Sequence, residues 1–141
     1  MCNSDANSKL KTCYIVYKNS YDTEQYVYDI DIVKFRRMLA SFRSGAHCLS
    51  IAQEQQYQLD EHECLCPYCE VYIENEFHFI FICPLFQCIR EKYLQQAMYT
   101  NPCNEKLYSL FCSKSITVIR NLACYLHQAF KIRNDFLNIY S

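Results

Sequence analysis

The sequence predicts a mainly α-helical domain in which one small cysteine-rich knuckle lies between helices. Apolar residues recur at three- and four-residue spacing along much of the chain, as on the buried face of an amphipathic helix. One glycine and three prolines among 141 residues are too few for turn-dense β-sandwiches and for phosphate- or dinucleotide-binding loops. Eleven cysteines are present, and several of them cluster between residues 62 and 84.

Residues 1–27 are interpreted as a poorly ordered leader, and residues 28–141 as a single helical domain. The leader is polar at its start, although residues 12–17 are β-branched and aromatic, as in a short strand. No secretory signal and no run of 18 apolar residues is found, so we expect an intracellular protein, nuclear or cytoplasmic, without a membrane partner. In a reducing compartment, clustered cysteines indicate a metal site.

The first helix is predicted from about Asp29 to Phe42, with a stop at Ser44-Gly45, where glycine suits a C-terminal cap. Its apolar face consists of Phe35, Met38, Leu39 and Phe42. The basic residues expected to lie off that face are Lys34, Arg36, Arg37 and Arg43.

Three further helices are predicted after the knuckle. Pro84 suits a first helical turn, so a helix is expected over 84–99 that ends before Asn101-Pro102. A short helix is expected over 104–112. The strongest periodicity predicts a helix over 115–138, capped by Ser113 or Ser115. Its apolar stripe consists of Ile119, Leu122, Ala123, Leu126, Phe130 and Leu137.

Four side chains of the knuckle have the spacing C-x2-C-x8-H-x4-C, which is typical of a zinc site. They are Cys66, Cys69, His78 and Cys83. Structural zinc takes four nitrogen or sulfur ligands in a tetrahedron, and here the protein fills every position. One structural Zn²⁺ is therefore expected, with no catalytic role. The alternatives are that Cys64, His62 or Cys88 replaces a ligand, or that the thiols are buried without metal.

From Phe42 onward the chain resembles a known family. The segments that carry the resemblance are Phe42-Arg43-Ser44-Gly45-Ala46-His47, Cys66-Pro67-Tyr68-Cys69, Ile73-Glu74-Asn75-Glu76-Phe77-His78-Phe79, Cys83-Pro84-Leu85-Phe86 and Arg90-Glu91-Lys92-Tyr93-Leu94. In order and spacing they resemble the zinc-binding region at the C-terminal end of reverse transcriptases from non-LTR retrotransposons. The resemblance covers about residues 28–137, and Asn75 stands where the family usually has Asp. It implies the same four metal ligands and a role in holding the template or target nucleic acid of an RNA-directed DNA polymerase.

The polymerase itself is not expected in this chain. Reverse transcription requires paired aspartates that hold Mg²⁺, in the family motif Y-x-D-D, whereas Tyr28-Asp29-Ile30-Asp31 separates its two aspartates. Cys48 beside His47 lacks the orienting group that a catalytic Cys-His pair needs. The sequence therefore predicts a protein that is not an enzyme and has no small-molecule substrate.

The expected function is that of a nucleic-acid-binding accessory domain derived from such a reverse transcriptase, with RNA or DNA as partner. The residues expected to contact nucleic acid are Lys34, Arg36, Arg37, Arg43 and His47, with Tyr68, Tyr72 and Phe77 as candidates for base stacking. Residues 54–88 carry seven acids and no Lys or Arg, so binding should use the helical face and be weak and salt-sensitive. The alternatives are a zinc-stabilised protein-interaction module, a decayed fragment of a mobile element, and basic and acidic segments that only neutralise each other.

Overall fold

The protein is mainly helical, as predicted. The computed structural model describes residues 30–44, 46–50 and 61–140. Its α-helices are α1 (Val33–Ser44), α2 (Gln87–Tyr93), α3 (Gln96–Tyr99), α4 (Asn104–Phe111) and α5 (Ile116–Tyr140). Two 3-10 turns (Glu61–Cys64 and Pro84–Phe86) and a π-helical turn (His78–Ile82) complete the regular structure of the described residues, which contain one isolated β-bridge and no longer strand.

Helix α5 is the centre of the fold and contacts α1, α2 and α4. It follows most of the predicted stripe, because Ile119, Leu122, Ala123, Leu126 and Phe130 are all buried. Leu137, the last residue of that stripe, is only half-buried. Ser115 precedes the helix, and its hydroxyl accepts a hydrogen bond from the backbone N–H of Val118, as expected of an N-cap.

An aromatic cluster joins α1 to α4, α5 and the knuckle. The ring of Phe42 stacks on Phe111 at a centroid distance of 5.6 Å and lies 5.9 Å from Phe79 and 6.1 Å from Phe130. Aromatic pairs at such distances add to the free energy gained by burial alone. The apolar face predicted for α1 is therefore the one that packs.

Two boundaries differ from the prediction. Helix α1 begins at Val33, four residues later than expected, and ends at Ser44 as expected. The predicted helix over 84–99 is divided, because Leu94 and Gln95 have extended backbone between α2 and α3. The extended segment lets Leu94 stay buried and brings the half-buried Met98 and Tyr99 onto the core.

Some predictions lie outside the described residues. These are the leader over 1–27, the strand over 12–17 and the cap at Gly45. Within the described part of the chain, none of the helices combines the length and apolarity needed to span a membrane.

Candidate metal centre

A short antiparallel turn holds the two cysteines of the C-x2-C pair. Leu65 forms a β-bridge with Ile73, and the Cys66 N–H donates to the Tyr72 carbonyl at 2.8 Å. The Glu70 N–H returns to the Cys66 carbonyl at 2.9 Å, which closes the loop around Cys69. Glu70 has a φ of 56°, in the left-handed region that favours glycine. The backbone thus brings Cys66 and Cys69 to one side of the turn.

The π-helical turn positions His78 and Cys83. Residues five apart on an α-helix point about 140° away from each other, at 3.6 residues per turn. Here the Cys83 N–H donates to the His78 carbonyl at 2.9 Å, and this wider turn brings the two residues closer to one face. Asn75 fixes the start of the turn, because its side-chain oxygen accepts a hydrogen bond from the His78 N–H at 2.9 Å.

Three of the four predicted ligands form a group that could hold a metal ion. The ligand atoms of Cys66, Cys69 and His78 all lie within 4.8 Å of one another. Cys83 is not part of that group of three, but its Sγ lies 3.7 Å from the Sγ of Cys66. His78 Nε2 lies 3.5 Å from the Sγ of Cys69.

These two distances fit the edges of a zinc tetrahedron. Sulfur atoms bound to one tetrahedral zinc at about 2.3 Å lie roughly 3.8 Å apart, and a bound sulfur and nitrogen roughly 3.5 Å apart. The His78 Nδ1 is buried and has no hydrogen-bond partner among the described residues. Because Nε2 is the ring nitrogen that faces Cys69, this Nδ1 lies on the other side of the ring and is not one of the donor atoms of the group. The donor atoms present therefore fit a thiolate-imidazole metal site.

The thiols of Cys66 and Cys83 are electrostatically coupled. Their mutual hydrogen bond, followed by burial, raises the pKa of the Cys66 thiol to about 12. The same hydrogen bond lowers the pKa of Cys83, and the nearby charge of Arg90 acts in the same direction. Without metal the two sulfurs therefore retain a proton between them, and an ion that binds both must displace it.

Arg90 is a buried cation next to this group, and sequence reasoning missed it. Its side chain is 1% exposed and donates to the Ile80 carbonyl at 2.7 Å, the Cys83 carbonyl at 2.8 Å and the Gln87 side-chain oxygen at 2.7 Å. Within the described residues its guanidinium meets no carboxylate. Arg90 thus fixes the carbonyls at the end of the π turn and places a positive charge beside Cys83.

A buried ion pair, also missed by sequence reasoning, ties the knuckle to α5. Arg133 donates from Nε and Nη2 to the two carboxylate oxygens of Glu74, at 2.9 and 2.7 Å. The Ser50 N–H and hydroxyl donate to the same carboxylate at 2.8 and 3.0 Å. Three separate parts of the chain therefore meet at Glu74.

The alternative ligands lie elsewhere or are not described. Cys64 is buried and Cys88 is exposed on α2, and neither joins the group around Cys66. The side chain of His62 lies outside the described part of the chain.

The residues predicted to contact nucleic acid divide into two sets. Lys34 and Arg37 are exposed on α1 and Arg36 is half-buried. Arg43 is 5% exposed, so its predicted place off the buried face is wrong. It lies four residues after Leu39 and eight after Phe35, a spacing that puts it on the packed face of the helix.

The imidazole of His47 is also buried, so it is not available to a phosphate. Its side chain is 1% exposed, its Nε2 lies 2.9 Å from a Glu76 carboxylate oxygen and its Nδ1 accepts from the Leu49 N–H at 3.3 Å. These bonds make it a structural link between the segment after α1 and the knuckle, which corrects its assignment as a contact residue.

No family model, no curated protein and no solved structure matches this chain. Any assignment of function therefore rests on the geometry of the site and the pattern of the residues.

Proposed function

We propose that the chain is a zinc-stabilised domain that binds RNA or DNA, with no catalysis of its own. The observation that carries the proposal is the convergence of the C-x2-C pair and His78 on one point, with Cys83 beside Cys66. Three sulfurs and one imidazole are a donor set that suits Zn²⁺, and four protein ligands leave no open position for a substrate. The metal is then structural.

Arg90 supports the same donor set on electrostatic grounds. Zinc with three thiolates and a neutral imidazole carries a net charge of −1, and a buried charge requires a partner. Arg90 is a buried cation whose described hydrogen-bond partners are all neutral oxygens. The positive guanidinium beside Cys83 would balance the metal-thiolate charge.

Nucleic acid would bind the exposed side of α1. Residues 32–53 contain four basic residues and no acid, and Lys34 and Arg37 keep their charged groups in solvent. The knuckle itself, with Glu63 and Glu70 exposed, would repel phosphate. This role matches what the resemblance implies, namely an accessory domain of an RNA-directed DNA polymerase.

Fluorescence anisotropy with labelled single-stranded RNA and DNA across a salt series tests the proposal. The logarithm of the affinity falls as the logarithm of the salt concentration rises. Each lost phosphate contact makes this slope less steep by about 0.7 for single strands, so the double variant Lys34→Gln/Arg37→Gln should make it less steep by roughly 1.4. Lys114→Gln, an exposed lysine outside this basic segment, is the matched control and should leave the slope unchanged. Equal slopes in all three proteins would refute a phosphate-binding α1.

A protein-interaction role is the second candidate, because aromatic and apolar side chains are exposed on the knuckle. Tyr72 is 57% exposed and Val71 68%. The half-exposed ring of Tyr68 packs on Phe136 of α5 at a centroid distance of 5.3 Å. Binding through this surface would be indifferent to salt and would be lost in Tyr72→Ser but not in Lys34→Gln/Arg37→Gln.

A further inference from the structure

Helices α1 and α5 bring basic side chains together at a place that the basic segment alone does not predict. The ring of Phe35 packs edge-on against the imidazole of His127, with centroids 5.1 Å apart. Lys34 Nζ lies 5.2 Å from the centroid of the same Phe35 ring. An open cavity of about 480 Å³ adjoins His127 on α5, and its lining residues are His127, Gln128, Lys131, Ile132 and Asp135.

Two lysines and one carboxylate lie at or next to this cavity. Lys131 and Asp135 line the cavity from α5, and Lys34 on α1 lies near enough to His127 for its charge to act on the imidazole. Neither lysine forms an ion pair with the described residues. Lys131 lies far outside residues 32–53 in the sequence, so only the fold places it near Lys34.

We propose that His127 and Lys131 at this cavity, together with Lys34 on the adjoining helix α1, form a site, the α1/α5 groove, that binds a phosphate group of single-stranded nucleic acid. The inference rests on the proposed function and names the site where that function would reside. Two ammonium groups and an imidazole N–H can donate to one phosphate from two helices. The volume is within the range of pockets that hold small ligands, and Ile132 offers an apolar wall to the sugar or base.

The groove also predicts a pH dependence. Burial, and then the charges of Lys34 and Lys131, lower the pKa of His127 in the free protein. Asp135 is the carboxylate that lines the same cavity. A bound phosphate would favour the imidazolium, so the affinity for the oligonucleotide should rise as the pH falls below the ordinary histidine value of about 6.5.

The test measures oligonucleotide binding by anisotropy for Lys131→Gln, His127→Gln and Asp135→Asn, with Lys114→Gln as the control. We expect Lys131→Gln to make the slope of log affinity against log salt less steep by about 0.7. His127→Gln should remove the rise in affinity at low pH, and Asp135→Asn should tighten binding. Helical circular dichroism must be unchanged in each variant, so that lost binding cannot reflect unfolding.

The outcomes distinguish a failure of the groove proposal from a failure of the proposed nucleic-acid binding. If Lys131→Gln behaves like Lys114→Gln while Lys34→Gln/Arg37→Gln loses binding, the chain binds nucleic acid elsewhere on α1 and the groove is wrong. If none of these variants changes binding, both proposals fail. In the last part of the test, inorganic phosphate is titrated into the protein, and its binding is monitored through the imidazole NMR signals of His127. Phosphate that saturates those signals and is not displaced by the oligonucleotide would overturn the assignment to nucleic acid.

Discussion

Replacing Glu74 by glutamine should be among the most destabilising single changes in this chain. Glu74 is 2% exposed, and its carboxylate accepts two hydrogen bonds from Arg133 and two from Ser50. Glu74→Gln keeps the shape but removes the charge, so the guanidinium of Arg133 stays buried without its partner. The new amide also turns an N–H₂ group toward groups that are themselves donors.

The expected loss is about 3–5 kcal/mol of unfolding free energy, the usual result of removing one partner from a buried ion pair. Unfolding slopes in urea are about 1–3 kcal/mol per molar, so the midpoint should fall by roughly 1 M or more. The assay is urea unfolding of the purified protein, monitored by far-ultraviolet circular dichroism.

Glu91→Gln is the matched control. Glu91 is exposed on α2 and accepts one hydrogen bond from Gln87, so this change should stay within about 0.5 kcal/mol. The double variant Glu74→Leu/Arg133→Met removes both buried charges and should recover part of the loss. A midpoint for Glu74→Gln that equals the midpoint for Glu91→Gln would refute the reasoning.

Three further predictions concern other buried or strained groups. Tyr125 donates to the Phe79 carbonyl at 2.6 Å, so Tyr125→Phe should cost about 1–2 kcal/mol in urea unfolding. Burial raises the pKa of Tyr125, so the protonated hydroxyl contributes its full stabilisation below about pH 10 and loses it as the pH rises further. The unfolding free energy of Tyr125→Phe should therefore fall less steeply above pH 10 than that of the wild type. Arg90→Met should weaken zinc binding by about 10–100-fold in a chelator competition, and Arg90→Lys should weaken it by less. Equal zinc affinities of these two variants would exclude a role for the charge. Because Glu70 has positive φ, Glu70→Gly should leave the melting temperature unchanged or higher and Glu70→Val should lower it; the reverse order would contradict strain at this turn.

Local periodicity was sufficient to predict most helices, because a repeated apolar spacing marks a buried face wherever the core lies. Helix α4 and the stripe of α5 follow directly from it. The break at Leu94 could not be predicted in this way, because Leu94 fits the helical pattern and yet stays buried with an extended backbone.

Motif spacing predicted the metal-ligand group, but not the side chains that support it. The x4 spacing between His78 and Cys83 does carry a signal for a π turn, since an α-helix would point the two residues apart. The pairing of Glu74 with Arg133 joins residues 59 positions apart and leaves no mark in either local pattern. The charge of Arg43 favours an exposed place, but its position four residues after Leu39 puts it on the packed face of α1.

The most direct test of the account is the metal content and coordination of the purified protein, by native mass spectrometry and zinc X-ray absorption. We predict one zinc per chain, with three sulfurs at about 2.3 Å and one nitrogen at about 2.0–2.1 Å. Cys83→Ser should lose one sulfur from the zinc shell, His78→Ala should lose the nitrogen, and Cys88→Ser, an exposed thiol on α2, should change nothing. A folded wild-type chain without zinc, or a site that survives Cys83→Ser but is lost in Cys64→Ser, would contradict the assignment.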